Sequence, residues 1–147
     1  MIRLASAILL VIAAGILQNT DLLNIAGVKP NLSLAALIVL GFFINKFTDY
    51  LILILISALL IKTAAGFEIS IIVFAAIPAI FYFLRRLLPW RASLNNLILI
   101  FAGTLLLYLL IDPAFISRGV GIFISEAAYN LILGAVLFWA GTYKKIW

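Results

Sequence analysis

Cysteine and histidine are both absent from the 147 residues, and only five acids occur: Asp21, Asp49, Glu68, Asp112 and Glu126. The first two absences remove disulfides, thiolate nucleophiles, imidazole bases and the common nitrogen and sulfur ligands of metals. Scarcity of acids removes most paired-carboxylate chemistry, because no two acids fall at a spacing that places them on one helix face. No Gly-rich phosphate loop occurs, and Ser57 and Lys62, five residues apart, point off the same face. These gaps read as a protein that is not an enzyme and holds no metal and no cofactor. Charge of either sign is scarce too, at 10% of the chain.

What remains is hydrocarbon. Apolar residues make up 67% of the sequence, whereas a soluble domain is typically about 45 to 50% apolar even with Gly counted. A water-facing protein of this composition would carry large sticky patches, so the sequence reads as an all-α integral membrane protein, a single domain on length alone. The net charge of +5 would point to nucleic acid on a soluble protein. Here the cations sit in short gaps between apolar runs, where they act as topology signals.

With charges as punctuation, the uncharged runs are Leu4 to Thr20, Pro30 to Asn45, Tyr50 to Ile61, Ile69 to Leu84, Ala92 to Ile111 and Ala127 to Tyr143. A span takes roughly 20 residues, with about 17 as the lower limit. Tyr50 to Ile61 is short of that and reaches it only when extended on both sides, with Lys62 bending its ammonium to the interface. The expectation is a compact bundle of six membrane helices over residues 3–20, 30–45, 48–65, 68–85, 92–111 and 120–143. The first run also has the charge and core length of a signal peptide, but no small-x-small cleavage pattern follows Leu17.

Basic residues test this layout. With the N-terminus inside, the inner segments hold Arg3, Lys46, Arg85, Arg86, Arg91, Lys144 and Lys145, and the outer ones only Lys29, Lys62 and Arg118. That asymmetry is the positive-inside pattern, and it puts both termini inside. Trp90, Trp139 and Trp147 fall at or near the same inner interface, where indole rings anchor.

Polar residues inside the apolar runs are the candidates for function. Gln18 and Asn19 close the first run beside Asp21; Lys29, Pro30 and Asn31 open the second; Glu126 and Asn130 lie in the last. Between the first two clusters, Leu22 to Val28 is expected along the membrane surface, facing lipid or a partner. Eighteen residues separate Glu126 from Lys144, about 27 Å of helix, which places Glu126 at the outer interface near a helix N-terminus, with Ser125 as N-cap. Gln18, Asn19, Asp21, Lys62, Glu68 and Asp112 also gather at the outer ends. They line a polar recess or docking surface, or else are solvated loop ends, a reading that fits Gln18 and Asn130 least.

Ala127, Gly134 and Gly141 recur every seven residues in the last run, with Asn130 on the same stripe. Such a stripe lets a neighbouring backbone approach, either for ordinary helix packing or for a partner. Ala75 and Ala79 make a similar, weaker pair beside Pro78, which is expected to kink the fourth helix. Arg85, Arg86, Pro89, Trp90 and Arg91 form the main basic cluster; orientation explains it, and anionic lipid headgroups are the alternative.

The six short helices with both termini inside carry Leu17 and Gln18 at the end of the first and Lys29, Pro30, Asn31 and Leu32 at the start of the second. With the polar-then-apolar last helix of Glu126 and Asn130, this pattern resembles the MreD family of bacterial rod shape-determining membrane proteins. The chain departs from that pattern where the third helix ends: Lys62, before Thr63, Ala64, Ala65 and Gly66, stands where the family often has Asp. The resemblance implies a non-catalytic scaffold of the elongation machinery in the bacterial cytoplasmic (inner) membrane, serving cell shape and peptidoglycan synthesis. It implies a membrane-anchored coiled-coil partner of the MreC type and, through it, an MreB-like filament and the peptidoglycan synthases. Gln18, Lys29, Pro30, Asn31, Glu126 and Asn130 are the positions it marks as scaffold or partner contacts. The substrate-capturing S component of an energy-coupling-factor vitamin transporter is the alternative, being similar in fold; it would bind a small ligand at the outer side. A small lipid-modifying enzyme is a third reading.

Overall fold

The structure is a computed structural model that describes residues 2–20, 22–25, 27–61 and 68–144. Among these residues it is all-α. The helices are α1 (Ile2–Asn19), α2 (Leu32–Phe43), α3 (Phe47–Ile61), α4 (Ile69–Leu84), α5 (Ala92–Ile111), α6 (Pro113–Arg118) and α7 (Val120–Lys144).

α2 is the centre. Its sequence, LSLAALIVLGFF, has Ser33 as its one polar side chain and no polar stripe, and a helix that is apolar all round belongs inside. Leu32 through Gly41 are buried, and α1, α3, α4, α5 and α7 all pack against the helix. Close packing of α7 depends on Gly134, where an added Cβ would stand 2.1 Å from Ile100 Cδ1 of α5. Ala127 and Gly141, on the same stripe of α7, are also buried, and Ala75 and Ala79 of α4 lie half-buried against the core.

The outside is as apolar as the inside. Leu9, Leu59, Ile69, Ile132, Trp139 and Tyr143 are each more than half exposed. α5 (Ala92–Ile111) and α7 over Val120–Tyr143 are long and apolar enough to cross a membrane; the other four apolar helices are shorter. A surface of this kind suits hydrocarbon rather than water.

Several expectations shift. The third helix ends at Ile61, and residues 62–65 of its expected range, Lys62 among them, lie outside the described residues, as do Asp21 and Lys145. α6 is an added helix: Pro113 sits at its first position, where a missing N–H costs nothing. α7 starts at Val120, so Ser125 is a mid-helix residue and not an N-cap. α4 continues through Pro78, which leaves the Phe74 carbonyl without its usual helical donor. In the segment before α2, Ile25 and Val28 exchange two backbone bonds, 3.1 and 3.0 Å, around Gly27 at φ +84°, so a tight turn exposes Leu22 and Ile25.

Candidate functional site

A helix leaves its first N–H groups and last C=O groups without partners along its own backbone. For a helix buried as deeply as α2, water cannot serve them, so other side chains must. At its N-terminal end they come from the N-cap residue and from two other helices. Asn31, the N-cap, accepts from Leu34 N at 3.1 Å; Gln18 Oε1 of α1 accepts from Ser33 N at 2.8 Å; Asn130 Oδ1 of α7 accepts from Asn31 N at 2.7 Å. The Asn130 amide also donates to Thr104 Oγ1 of α5 at 3.0 Å, and that hydroxyl donates to the Ile100 carbonyl at 3.0 Å. Pro30 is buried beside this junction and brings no N–H of its own.

Glu126 lies one turn before Asn130 and is also buried. Its carboxylate accepts a hydrogen bond from the Tyr108 hydroxyl of α5. The Tyr108 ring stacks on Phe115 of α6, with centroids 5.0 Å apart, and meets the edge of Phe123 at 5.7 Å. The acid is therefore fixed between α5 and α7 rather than presented at a helix N-terminus.

The opposite end of α2 is held by aromatic rings and one cation. The Tyr82 hydroxyl donates to the Asn45 carbonyl and Arg85 Nη2 donates to the Ile44 carbonyl at 3.1 Å; midway along the helix, the Tyr50 hydroxyl donates to the Leu37 carbonyl at 2.8 Å. Tyr50 and Tyr82 stack at 4.9 Å, and the Arg85 guanidinium lies 4.2 Å from the Tyr82 ring centre. A positive group at a helix C-terminus complements its dipole. Of the basic cluster, Arg85 is thus committed to the fold, while Arg86 and Arg91 remain exposed.

A recess of about 110 Å³ opens at the Asn31 end, lined by Gln18, Asn31, Glu68, Ser70, Phe74 and Leu107 among others. Its one acid, Glu68, accepts from Ser70 Oγ at 3.2 Å. The remaining candidates are elsewhere. Asn19 donates to the Leu60 carbonyl at 2.9 Å, tying α1 to α3; Lys29 is exposed; Asp112 pairs with Arg118 at 3.4 Å on the surface, where such a pair is worth about 0–1 kcal/mol.

Gln18, Asn31 and Asn130 therefore meet at one point, and Glu126 stands beside it. Sequence reading did not single out Thr104, Tyr108, Tyr50 or Tyr82. Thr104 carried a signal, a polar residue within an apolar run, of the kind that drew attention to Gln18. The tyrosines carried none, since their rings suit an apolar helix. Comparison with known proteins finds no matching family model, curated protein or solved structure.

Proposed function

We propose that the chain is a non-catalytic scaffold of the bacterial cytoplasmic membrane. It forms a six-span bundle with both termini inside and docks a membrane-anchored coiled-coil protein of the MreC type. Through that partner it serves an MreB-like filament and the peptidoglycan synthases in rod-shaped growth. The observation that carries this reading is the use of the polar side chains. Several of those embedded in apolar helices turn inward onto α2, Gln18 and Asn130 at its start and Tyr50 at its middle, or onto each other, as Tyr108 does with Glu126. Spent this way they fix one arrangement of helices and leave apolar outer faces for docking. The excess of Lys and Arg in alternate gaps supports the orientation, with the Asn31 end of α2 outside.

The test is purification in detergent followed by identification of what accompanies the chain. A single-span coiled-coil protein in fixed ratio is the expected result; a bound vitamin or an ATPase module would overturn the reading. The recess at Gln18, Asn31 and Glu68 favours the second reading, a transporter S component, which that same experiment separates.

A further inference from the structure

Cations gather where α4 hands over to α5. Arg85 and Arg86 lie over one ring, their guanidinium carbons 4.2 and 5.9 Å from the Tyr82 centroid. The junction of α2 and α3 meets the same ring: the Asn45 carbonyl accepts from the Tyr82 hydroxyl, and the Phe47 and Tyr82 centroids are 5.3 Å apart. The backbone of Lys46, between those two residues, therefore stands beside the pair. Arg91 follows five residues after Arg86, at most about 18 Å of chain away. The Asn95 side chain fixes that connection by donating to the Leu88 and Trp90 carbonyls at 3.3 and 3.1 Å.

Among the described residues, no carboxylate forms an ion pair with Lys46, Arg85, Arg86 or Arg91. Asp49, in the first turn of α3, is the one described acid at this end, so four cations face a single acid. Arg85 is spent on the Ile44 carbonyl and acts outward only through its charge. Lys46, Arg86 and Arg91 are exposed, and an anion from outside can reach all three. Orientation in the membrane calls for cations in this segment but not for their crowding, unpaired, around one ring. Such a cluster attracts an anion. Hydrocarbon is interleaved with the charge: Phe83, Leu84, Leu87, Trp90 and Leu94 are all exposed along the same stretch.

We infer that this junction binds an acidic phospholipid, with Lys46, Arg86 and Arg91 serving the phosphate headgroup and the exposed apolar side chains beside its acyl chains. A soluble anion or an acidic protein segment would answer the cations and leave Leu87 and Trp90 in water. A second copy would set cations against cations, and a zwitterionic lipid brings a cation of its own. In the proposed orientation this end meets the cytoplasmic leaflet, where acidic lipids lie. The inference goes beyond the scaffold reading: it needs a chain embedded in a bilayer and not the MreC-type partner, so loss of that partner leaves it standing.

Titration of the full chain in neutral detergent tests it, with short-chain phosphatidylglycerol or phosphatidylcholine of the same acyl length and binding followed by microscale thermophoresis. A cation near an acidic lipid is worth about fivefold in affinity, so three reachable cations give a preference of about a hundredfold for phosphatidylglycerol. Arg86→Gln with Arg91→Gln, both at exposed positions, should reduce it to about fivefold without moving the melting midpoint in lipid-free detergent. Lys144→Gln with Lys145→Gln, inner cations outside the junction, should leave it almost unchanged. The unaltered chain gives a second readout: raising salt from about 0.1 to about 1 M shortens the Debye length from about 10 to about 3 Å and should erase most of the preference. Inorganic phosphate and a pentaglutamate peptide should bind more weakly than phosphatidylglycerol by at least about tenfold, less than the worth of burying two methylenes. Equal affinity for the two lipids, or a preference untouched by salt, would overturn the inference. So would soluble anions that bind as tightly as the lipid, or an equal loss from the Lys144 and Lys145 pair, which would make the attraction a matter of net charge.

Discussion

Asn130→Leu removes, at nearly constant volume, the acceptor of the Asn31 N–H and the donor to Thr104 Oγ1. Two magnitudes bound the cost. Leaving a buried donor unsatisfied costs about 1–3 kcal/mol, whereas interhelical hydrogen bonds in membrane proteins average about 0.6 kcal/mol and reach about 1.7, because the unfolded helices find other partners in the membrane. The Asn31 N–H belongs to the start of a buried helix, where substitutes are few, so the upper part of the second range applies. The expected loss is about 1.5 kcal/mol, which for a chain of this length lowers the melting midpoint in detergent by roughly 3–6 °C. Thermal unfolding followed by circular dichroism measures it. A double-mutant cycle adds a sharper test. Thr104→Val alone should cost a few tenths to about 1 kcal/mol, but almost nothing once Asn130 is Leu, since its partner is already gone. Strictly additive losses would refute the network, and an unchanged midpoint for Asn130→Leu would refute the role of Asn130 at α2.

Gly134→Ala puts a Cβ against Ile100 Cδ1 and should destabilise by about 1–3 kcal/mol; Ile100→Val, which removes that methyl, should restore most of the loss in the same melting assay. Tyr108→Phe takes the hydroxyl donor from buried Glu126 and should cost about 1–3 kcal/mol, but markedly less in a Glu126→Leu background. Arg85→Ala should cost more than Arg86→Ala by about 1 kcal/mol, because only Arg85 both bonds the Ile44 carbonyl and lies close over Tyr82; equal effects on the melting midpoint would remove Arg85 from the end of α2.

Hydropathy made most of the elements legible. α5 occupies Ala92–Ile111, the uncharged run itself, and α1, α2 and α4 lie within two residues of the limits that charges set. α6 was hidden because Asp112 and Arg118 bracket a six-residue segment that reads as a loop. For the site, the sequence marked which residues were out of place and not where they go. Gln18 and Asn130 stand out in apolar helices, yet Asn130 and its partner Asn31 are 99 positions apart, and no local pattern states that pairing. Arg85 looked like any other cation of its cluster, since the carbonyl it serves belongs to another helix. The stripe of Ala127, Gly134 and Gly141 on α7 stood out by its period but not by its neighbour: Gly134 meets Ile100 inside, while Ala135, beside it, faces outward. Assigning them takes the helix's rotation, which composition does not supply.

The length of α2 explains why polar residues were needed at all. Its 12 residues span about 18 Å, against the roughly 30 Å of a hydrocarbon core. In the proposed orientation both ends of α2 then lie near or within the hydrocarbon layer, where a backbone group that leaves the helix has no water to turn to. Irregular backbone at that depth is tolerated only when the protein itself satisfies it. Gln18, Asn31 and Asn130 do so at one end, and Tyr82 and Arg85 at the other. A longer α2 would reach both interfaces and would need none of them. Gln18 of α1 and Asn130 of α7 are therefore the consequence of a short central helix, and partners are left to meet the outer faces, where α7 shows its small residues.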